Sequence, residues 1–318
     1  MQGMLSPGTE RLRREDVLRL LDVDVYSREF YELLSEAESY ARRTFRRGYV
    51  FCQIGVDSNP CPGNCAFCSM AKSHFVVGAQ FTRTQEEVCA EVEKAMTPQV
   101  SDLFLMTSEC YGKEAFLSLV RAVRERLPRR VRLVANTGDF DADYAKELRK
   151  AGATGAYHIV RLREGIDTDL PVSRREQTLR AIQSAGLDLY YCVEPIGPEH
   201  RHEEIADEIM RAQRLNVKYM AVMRRVGVCG TRKADAGVLP SRELAKIAAV
   251  TMLAVRPSES MNVHEVNPAA MLAGINQLYA EYGVNPRDTA ADTSAGRGWS
   301  VRDCVSLLAE NGWVVPCD

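Results

Sequence analysis

The stretch Arg180-Ala-Ile-Gln-Ser-Ala-Gly-Leu-Asp-Leu-Tyr-Tyr-Cys192 decides the fold of this chain. Its first half carries good helix formers, Ala185-Gly186 supplies a left-handed stop, and Leu187 to Val193 is a short β-prone run. The same order returns at Lys150-Ala-Gly-Ala-Thr-Gly155, ahead of Ala156 to Leu162. Working outward, further β-prone runs lie at Tyr49 to Val56, Asp102 to Met106, Val131 to Ala135, Val217 to Met223, Met261 to His264 and about Ile275 to Tyr279. Helices between them begin at recognisable signals, such as the capping box Thr84-Gln85-Glu86-Glu87 and the Ser241 start. Eight strands alternating with helices imply parallel pairing and right-handed crossovers, so the expected fold is α/β, a closed (β/α)8 barrel of TIM type.

The remainder is assigned to the ends. Val17, Leu18 and Leu21, then Phe30, Leu33, Leu34 and Ala37, recur at helical spacing and read as an N-terminal helical cap over residues 1–48. The barrel is expected over 49–282 and a wrapping tail over 283–318, amphipathic through Val301, Cys304, Val305 and Leu308, all as one domain.

Composition narrows the function. With 46% hydrophobic and 26% charged residues over 318 positions, the chain can bury a large core, which excludes disordered and fibrous classes. Lys plus Arg (41) nearly balances Asp plus Glu (43), so no basic field draws nucleic acid or anionic lipid. The longest largely apolar run, Ile247 to Val255, is too short to span a bilayer, and Met1 to Glu10 shows no secretory pattern. A cytoplasmic enzyme of small-molecule or carrier-bound substrates is the expectation.

Directly after the first strand comes Cys61-Pro-Gly-Asn-Cys65-Ala-Phe-Cys68. Three thiolates on one Gly- and Pro-bearing loop suit a metal centre in a reducing compartment better than disulfides. Structural zinc is the plain alternative, but it calls for a fourth Cys or His at short spacing, and His74 is the nearest. Three protein ligands leave one iron of a 4Fe-4S cluster open.

Cys-x-x-x-Cys-x-x-Cys after a first β-strand, with an aromatic just before the last Cys, resembles the radical S-adenosylmethionine (SAM) superfamily. Arg180 to Cys192 and Leu272-Ala-Gly-Ile-Asn276 are similar to its biotin synthase-like branch, which also holds methylornithine synthase and the hydrogenase maturases. The resemblance implies a 4Fe-4S cluster on Cys61, Cys65 and Cys68 that chelates SAM and cleaves it to a 5'-deoxyadenosyl radical. It further implies SAM contacts from Phe67, from Thr107-Ser108-Glu109 in place of a Gly-Gly-Glu-like segment, from Asn136, from Arg163 and Glu164, and from Arg175. An electron donor such as ferredoxin or flavodoxin is implied as partner, and a paralogous radical SAM protein is a further candidate.

One departure bears on the reaction. Biotin synthases carry a sulfur-donating second cluster on Cys from the second, third and fifth strands and an Arg from the seventh. Here Cys192 matches the fifth-strand Cys, the third strand has none, and His264 stands near the place of that Arg. Cys110 and Cys229 follow the second and sixth strands, so Cys110, Cys192, Cys229 and His264 form a candidate auxiliary cluster. That set favours sulfur insertion of the lipoyl or biotin type, with a two-component lipoyl synthase as the nearest idea. A radical isomerase, lyase or maturation enzyme without a second cluster is the alternative. Glu194, His200 and His202 are candidate pocket or lid groups.

Overall fold

The computed structural model describes residues 11–317; Met1 to Glu10, in which no leader pattern is read, lie outside the described residues. Helices α1 (Arg14–Leu21) and α2 (Arg28–Thr44) precede strand β1 (Tyr49–Gly55) and the short antiparallel pair β2 (Asp57–Ser58) and β3 (Phe81–Thr82). Alternation then runs α3 (Gln85–Ala95), β4 (Val100–Met106), α4 (Lys113–Arg126), β5 (Arg132–Asn136), α5 (Ala142–Lys150), β6 (Gly155–Tyr157), α6 (Val172–Ser184), β7 (Asp188–Ile196) and α7 (His202–Arg214). It ends with β8 (Tyr219–Arg224), α8 (Ser241–Val255), β9 (Ser260–His264), α9 (Pro268–Met271), β10 (Gln277–Gly283) and α10 (Val301–Glu310). Eight parallel strands close in the order β1-β10-β9-β8-β7-β6-β5-β4, as the alternation predicts.

Closure follows from the two-residue period of a strand. In β1, Val50, Cys52 and Ile54 join the core under the helices, while Tyr49 and Phe51 join the aromatic core inside the barrel. Phe104, Tyr190, Tyr219 and Tyr279 complete that interior layer, with Tyr190 and Tyr219 stacked at 4.3 Å. Below it, Arg132 makes a two-pronged ion pair of 2.8 Å per bond with the fully buried Asp102, which the Tyr190 hydroxyl also meets. The lower barrel is therefore packed solid. One step higher the inward residues turn polar, with Gln53, Asn136, Glu194 and His264 at the strand C-termini.

The capping box at Thr84 forms as written, Thr84 accepting from the Glu87 amide and Glu87 from the Thr84 amide. The cap packs on α7 and α8, and Lys246 and Arg242 tie it down by donating to the Val23 and Val25 carbonyls. Helix α10 packs against β1 and β10.

Several strand limits differ from expectation, the fifth strand running on to Ile196 and the sixth starting at Tyr219, and two of the shifts have a visible cause. The fourth stops at Tyr157 instead of Leu162, because the Val160 amide finds the Tyr191 hydroxyl and the Leu162 amide the Glu194 carbonyl, both outside a regular ladder. The last begins at Gln277, since the Asn276 side chain is spent on the Met261 amide and the Arg47 carbonyl.

Candidate active site

The cysteine loop leaves β1 at the top of the barrel and is pinned on every side. Asn64 takes a left-handed conformation (φ 45°), which asparagine tolerates, and its amide bridges Asp169 (2.7 Å) and the Ser73 N–H (2.9 Å). The Cys61 amide donates to the Met70 carbonyl, Ala66 to Asp167, and Ser69 to Pro286 in the tail. Cys61, Cys65 and Cys68 all line a cavity of about 170 Å³ that occupies the barrel mouth.

The geometry discriminates between one ion and a cluster. Among the described residues no three cysteine sulfurs lie within 4.8 Å of one another, as ligands of a single ion would. His74 is no fourth ligand either, for its ring nitrogens are engaged with the Ser73 hydroxyl and the Cys68 carbonyl, each at 3.1 Å. Burial raises all three thiols, Cys65 to about 11, and such groups lose a proton when a cationic centre replaces the missing solvent. Three spread thiols on one loop, open toward a cavity, fit a cubane cluster with one free iron.

Facing the loop, β4 and β5 end in Thr107, Ser108, Glu109 and Asn136, all of which line the cavity, as does Phe67. Ser108 is fixed by the buried Asp57, to which it donates through both amide (2.7 Å) and hydroxyl. Glu109 accepts the Asp139 amide at 3.0 Å, and burial raises its pKa. Arg175 is buried at the cavity wall between Asp139 (3.1 Å) and Glu164 (3.6 Å), with its Nε donating to the Ile159 carbonyl. Burial alone would raise Asp139, but His158 and the Arg175 charge hold it down to about 2. Burial and Arg175 together lower His158 to about 3, so its ring is neutral, and its Nε2 lies 3.1 Å from Asp139.

The structure redistributes other expected residues. Arg163 has φ 57°, which turns its side chain to Asp167 (3.6 Å) and away from the cavity. Glu164 accepts the Arg161 amide and the Thr168 hydroxyl, and it sits behind the wall. Arg161 lines the cavity in their stead.

The four auxiliary candidates are not gathered at the mouth. Cys110 and Cys229 are exposed and outside the cavity; Cys110 lies 3.3 Å from the Ser108 hydroxyl. Cys192 is fully buried on β7 beside Tyr157 and Glu194, and it does not line the cavity. His264 lines the cavity, stacked on Tyr279 at 4.3 Å, and its Nδ1 accepts from Arg287. Strand ends converge, but the loops after β4 and β8 carry their cysteines outward. Glu194 lines the cavity and accepts from the Tyr157 hydroxyl at 2.8 Å, whereas His202 pairs with Asp22 of the cap segment and His200 bonds within its own turn.

Sequence inspection missed Gln53, Asp57, Tyr157, Asn285 and Arg287 as cavity residues, whereas Arg161 was expected at the C-terminal barrel face with Arg163 and Glu164. Polar residues at inward positions of otherwise apolar strands were the available signal for Gln53 and Tyr157. Nothing local marks Arg287, which reaches the site from the tail.

No family model matches the chain. It is 25% identical over 312 residues to biotin synthase of Clostridioides difficile (strain 630), covering 94% of this chain and 93% of that protein. A second relative, biotin synthase of Carboxydothermus hydrogenoformans, is 20% identical over 257 residues, 76% of this chain and 78% of that one. Among solved structures, methylornithine synthase (PylB) superposes with a TM-score of 0.82 at 17% identity, covering 99% of this chain and 96% of that one. HydG, a maturase of the [FeFe]-hydrogenase, gives 0.79 at 17% identity over 96% of this chain and 72% of its own. These two neighbours share the fold.

Proposed function

We propose that this chain, a radical SAM enzyme of the biotin synthase-like branch, abstracts hydrogen from an unactivated carbon of a small polar substrate held inside the barrel, without inserting sulfur. Cys61, Cys65 and Cys68 are the residues that would hold the 4Fe-4S cluster. When bound and reduced by a donor such as ferredoxin or flavodoxin, the cluster with SAM supplies a 5'-deoxyadenosyl radical.

The chain's own residues prepare the space. Asp57 locks Ser108, and the Asp139 amide locks Glu109, so the polar rim opposite the thiols is preorganised to grip the charged end of SAM. Phe67 and Met70 add apolar wall on the loop side. The aromatic layer beneath closes the floor against water, which protects a reactive intermediate from side reactions. Between rim and floor, Glu194, Tyr157, His264 and Arg287 offer a substrate both charges and a neutral imidazole; burial first, then Arg287, lowers His264 well below its ordinary range.

The observation that carries the reading is the cavity lined by three spread thiols and, among the described residues, no fourth cysteine. Sulfur insertion requires a donor cluster beside the substrate, and the exposure of Cys110 and Cys229 disfavours it. The test is iron content and 5'-deoxyadenosine formation after anaerobic reconstitution, in wild type and in a Cys61/Cys65/Cys68 triple Ala variant. About four irons per chain in wild type and none in the variant are expected, with loss of 5'-deoxyadenosine. About four irons surviving in the variant would restore the sulfur-insertion reading. Undiminished 5'-deoxyadenosine from Cys65→Ala would overturn the site.

A further inference from the structure

A second cavity, of about 110 Å³, adjoins the first, and His264 and Tyr279 line both. Its other walls include Arg224 at the end of β8, Glu265, Glu281, Arg297 and Trp299. The two carboxylates are already taken. Arg287 meets Glu265 at 3.2 Å and also pairs with Glu281, while Arg297 meets Glu265 at 2.7 Å and Glu281 at 3.2 Å. Arg297 and Arg287, the latter reaching over from the first cavity, thus occupy both carboxylates of this lining.

Arg224 is the one left out. Among the described residues it makes no ion pair; its single protein hydrogen bond is a long one, 3.3 Å, from Nη1 to the Leu239 carbonyl. Its Nε is buried without an acceptor, and so is the Nε of Arg297. Arg224 is half-buried and keeps its charge at every accessible pH, so an anion entering the cavity gains a counter-charge that no carboxylate among the described residues occupies. Asn262 Oδ1, buried without a donor on the same wall, leaves room for a hydrogen-bond donor beside the anion.

We propose that this cavity binds a carboxylate of the substrate, anchored by Arg224, so that the substrate passes the His264 and Tyr279 wall with its reacting carbon in the cysteine-lined cavity. The planar guanidinium fork matches a carboxylate in two-pronged fashion, and the space admits a group of that size. The substrate assignment rests on the proposed function, whereas anion binding itself does not.

Trp299, one of two tryptophans, is a reporter in the wall of this cavity; the other, Trp313, packs on Phe45 away from it. In Trp313→Phe holoprotein, acetate should change Trp299 emission saturably, and Arg224→Gln should raise the half-saturating concentration roughly tenfold or more, as loss of a charge-assisted pair does. Inorganic phosphate, titrated in parallel, should bind more weakly; tighter binding of phosphate would overturn the carboxylate assignment. No saturable response, or an equal one in Arg224→Gln, would overturn the site. Should Arg224→Gln fail to fold, phenylglyoxal labelling of wild type decides, with Arg224 shielded by acetate if the proposal holds and labelled equally with or without it if not. No turnover enters these readouts, so their failure leaves the radical assignment standing, and 5'-deoxyadenosine formation tests that separately.

Discussion

Arg175→Ala probes the wall on which the rim residues lean. The guanidinium is almost fully buried, 3.1 Å from Asp139 and 3.6 Å from Glu164, and neither carboxylate faces open water. Deleting one partner of a buried pair leaves an uncompensated charge, at about 3–5 kcal/mol. Glu164 keeps Arg161 at 3.6 Å and the Thr168 hydroxyl, so its loss is partial and the lower end of that range applies. At about 2–4 °C per kcal/mol for chains of this order, about 3 kcal/mol lowers Tm by roughly 6–12 °C. Asp139→Asn in the same chain removes the stranded charge, so the double variant should recover part of the loss, a coupling of about 0.5–3 kcal/mol. Guanidinium titration at neutral pH gives midpoint and slope, and SAM affinity is measured below the variant's transition to separate wall from ligand effects. A stability of Arg175→Ala within about 1 kcal/mol of wild type, with unchanged slope, would refute the buried-pair reasoning.

Tyr190→Phe should cost about 1–3 kcal/mol in denaturant titration, because the fully buried Asp102 loses a donor that no water can replace; wild-type stability in this variant would show that Arg132 alone satisfies the carboxylate. Acid should weaken the cysteine-depleted apoprotein through Asp139. Its folded pKa of about 2 lies below the ordinary carboxylate value, so the stabilisation is present above about pH 4 and is lost as pH falls from there toward 2. Asp139→Asn should flatten that part of the stability profile, and an identical profile in the variant would assign the acid loss elsewhere.

The barrel was legible because period and punctuation agree. Ala151-Gly152 and Ala185-Gly186 end α5 and α6 where the sequence says they must, with Gly152 and Gly186 at positive φ. Strand limits were less legible, since a hydroxyl from Tyr191 or an amide from Asn276 can end a ladder, and neither side chain lies beside the strand end in sequence. The cysteine loop was legible for the opposite reason, its chemistry being contained in eight consecutive residues.

The rest of the site depended on directions that spacing does not encode. Strand ends converge, and Thr107, Glu109, Asn136 and His264 line one cavity. Applied to the residues just beyond those ends, the same rule fails, because a loop is free to turn outward: Cys110 and Cys229 do, and Arg163, at positive φ, turns aside while Arg161 two residues earlier faces in. A side chain on a strand has its face set by parity, whereas one on a loop has its face set by whichever partner stabilises it. For Arg163 that partner is Asp167, for Glu164 it is the Arg161 amide, and for Arg287 it is the pair Glu265 and Glu281, which draws a tail residue into the barrel mouth. Arg224, at the end of its strand, has the parity opposite to Met223 and no ion-pair partner among the described residues, and that missing partner is what points to a ligand there.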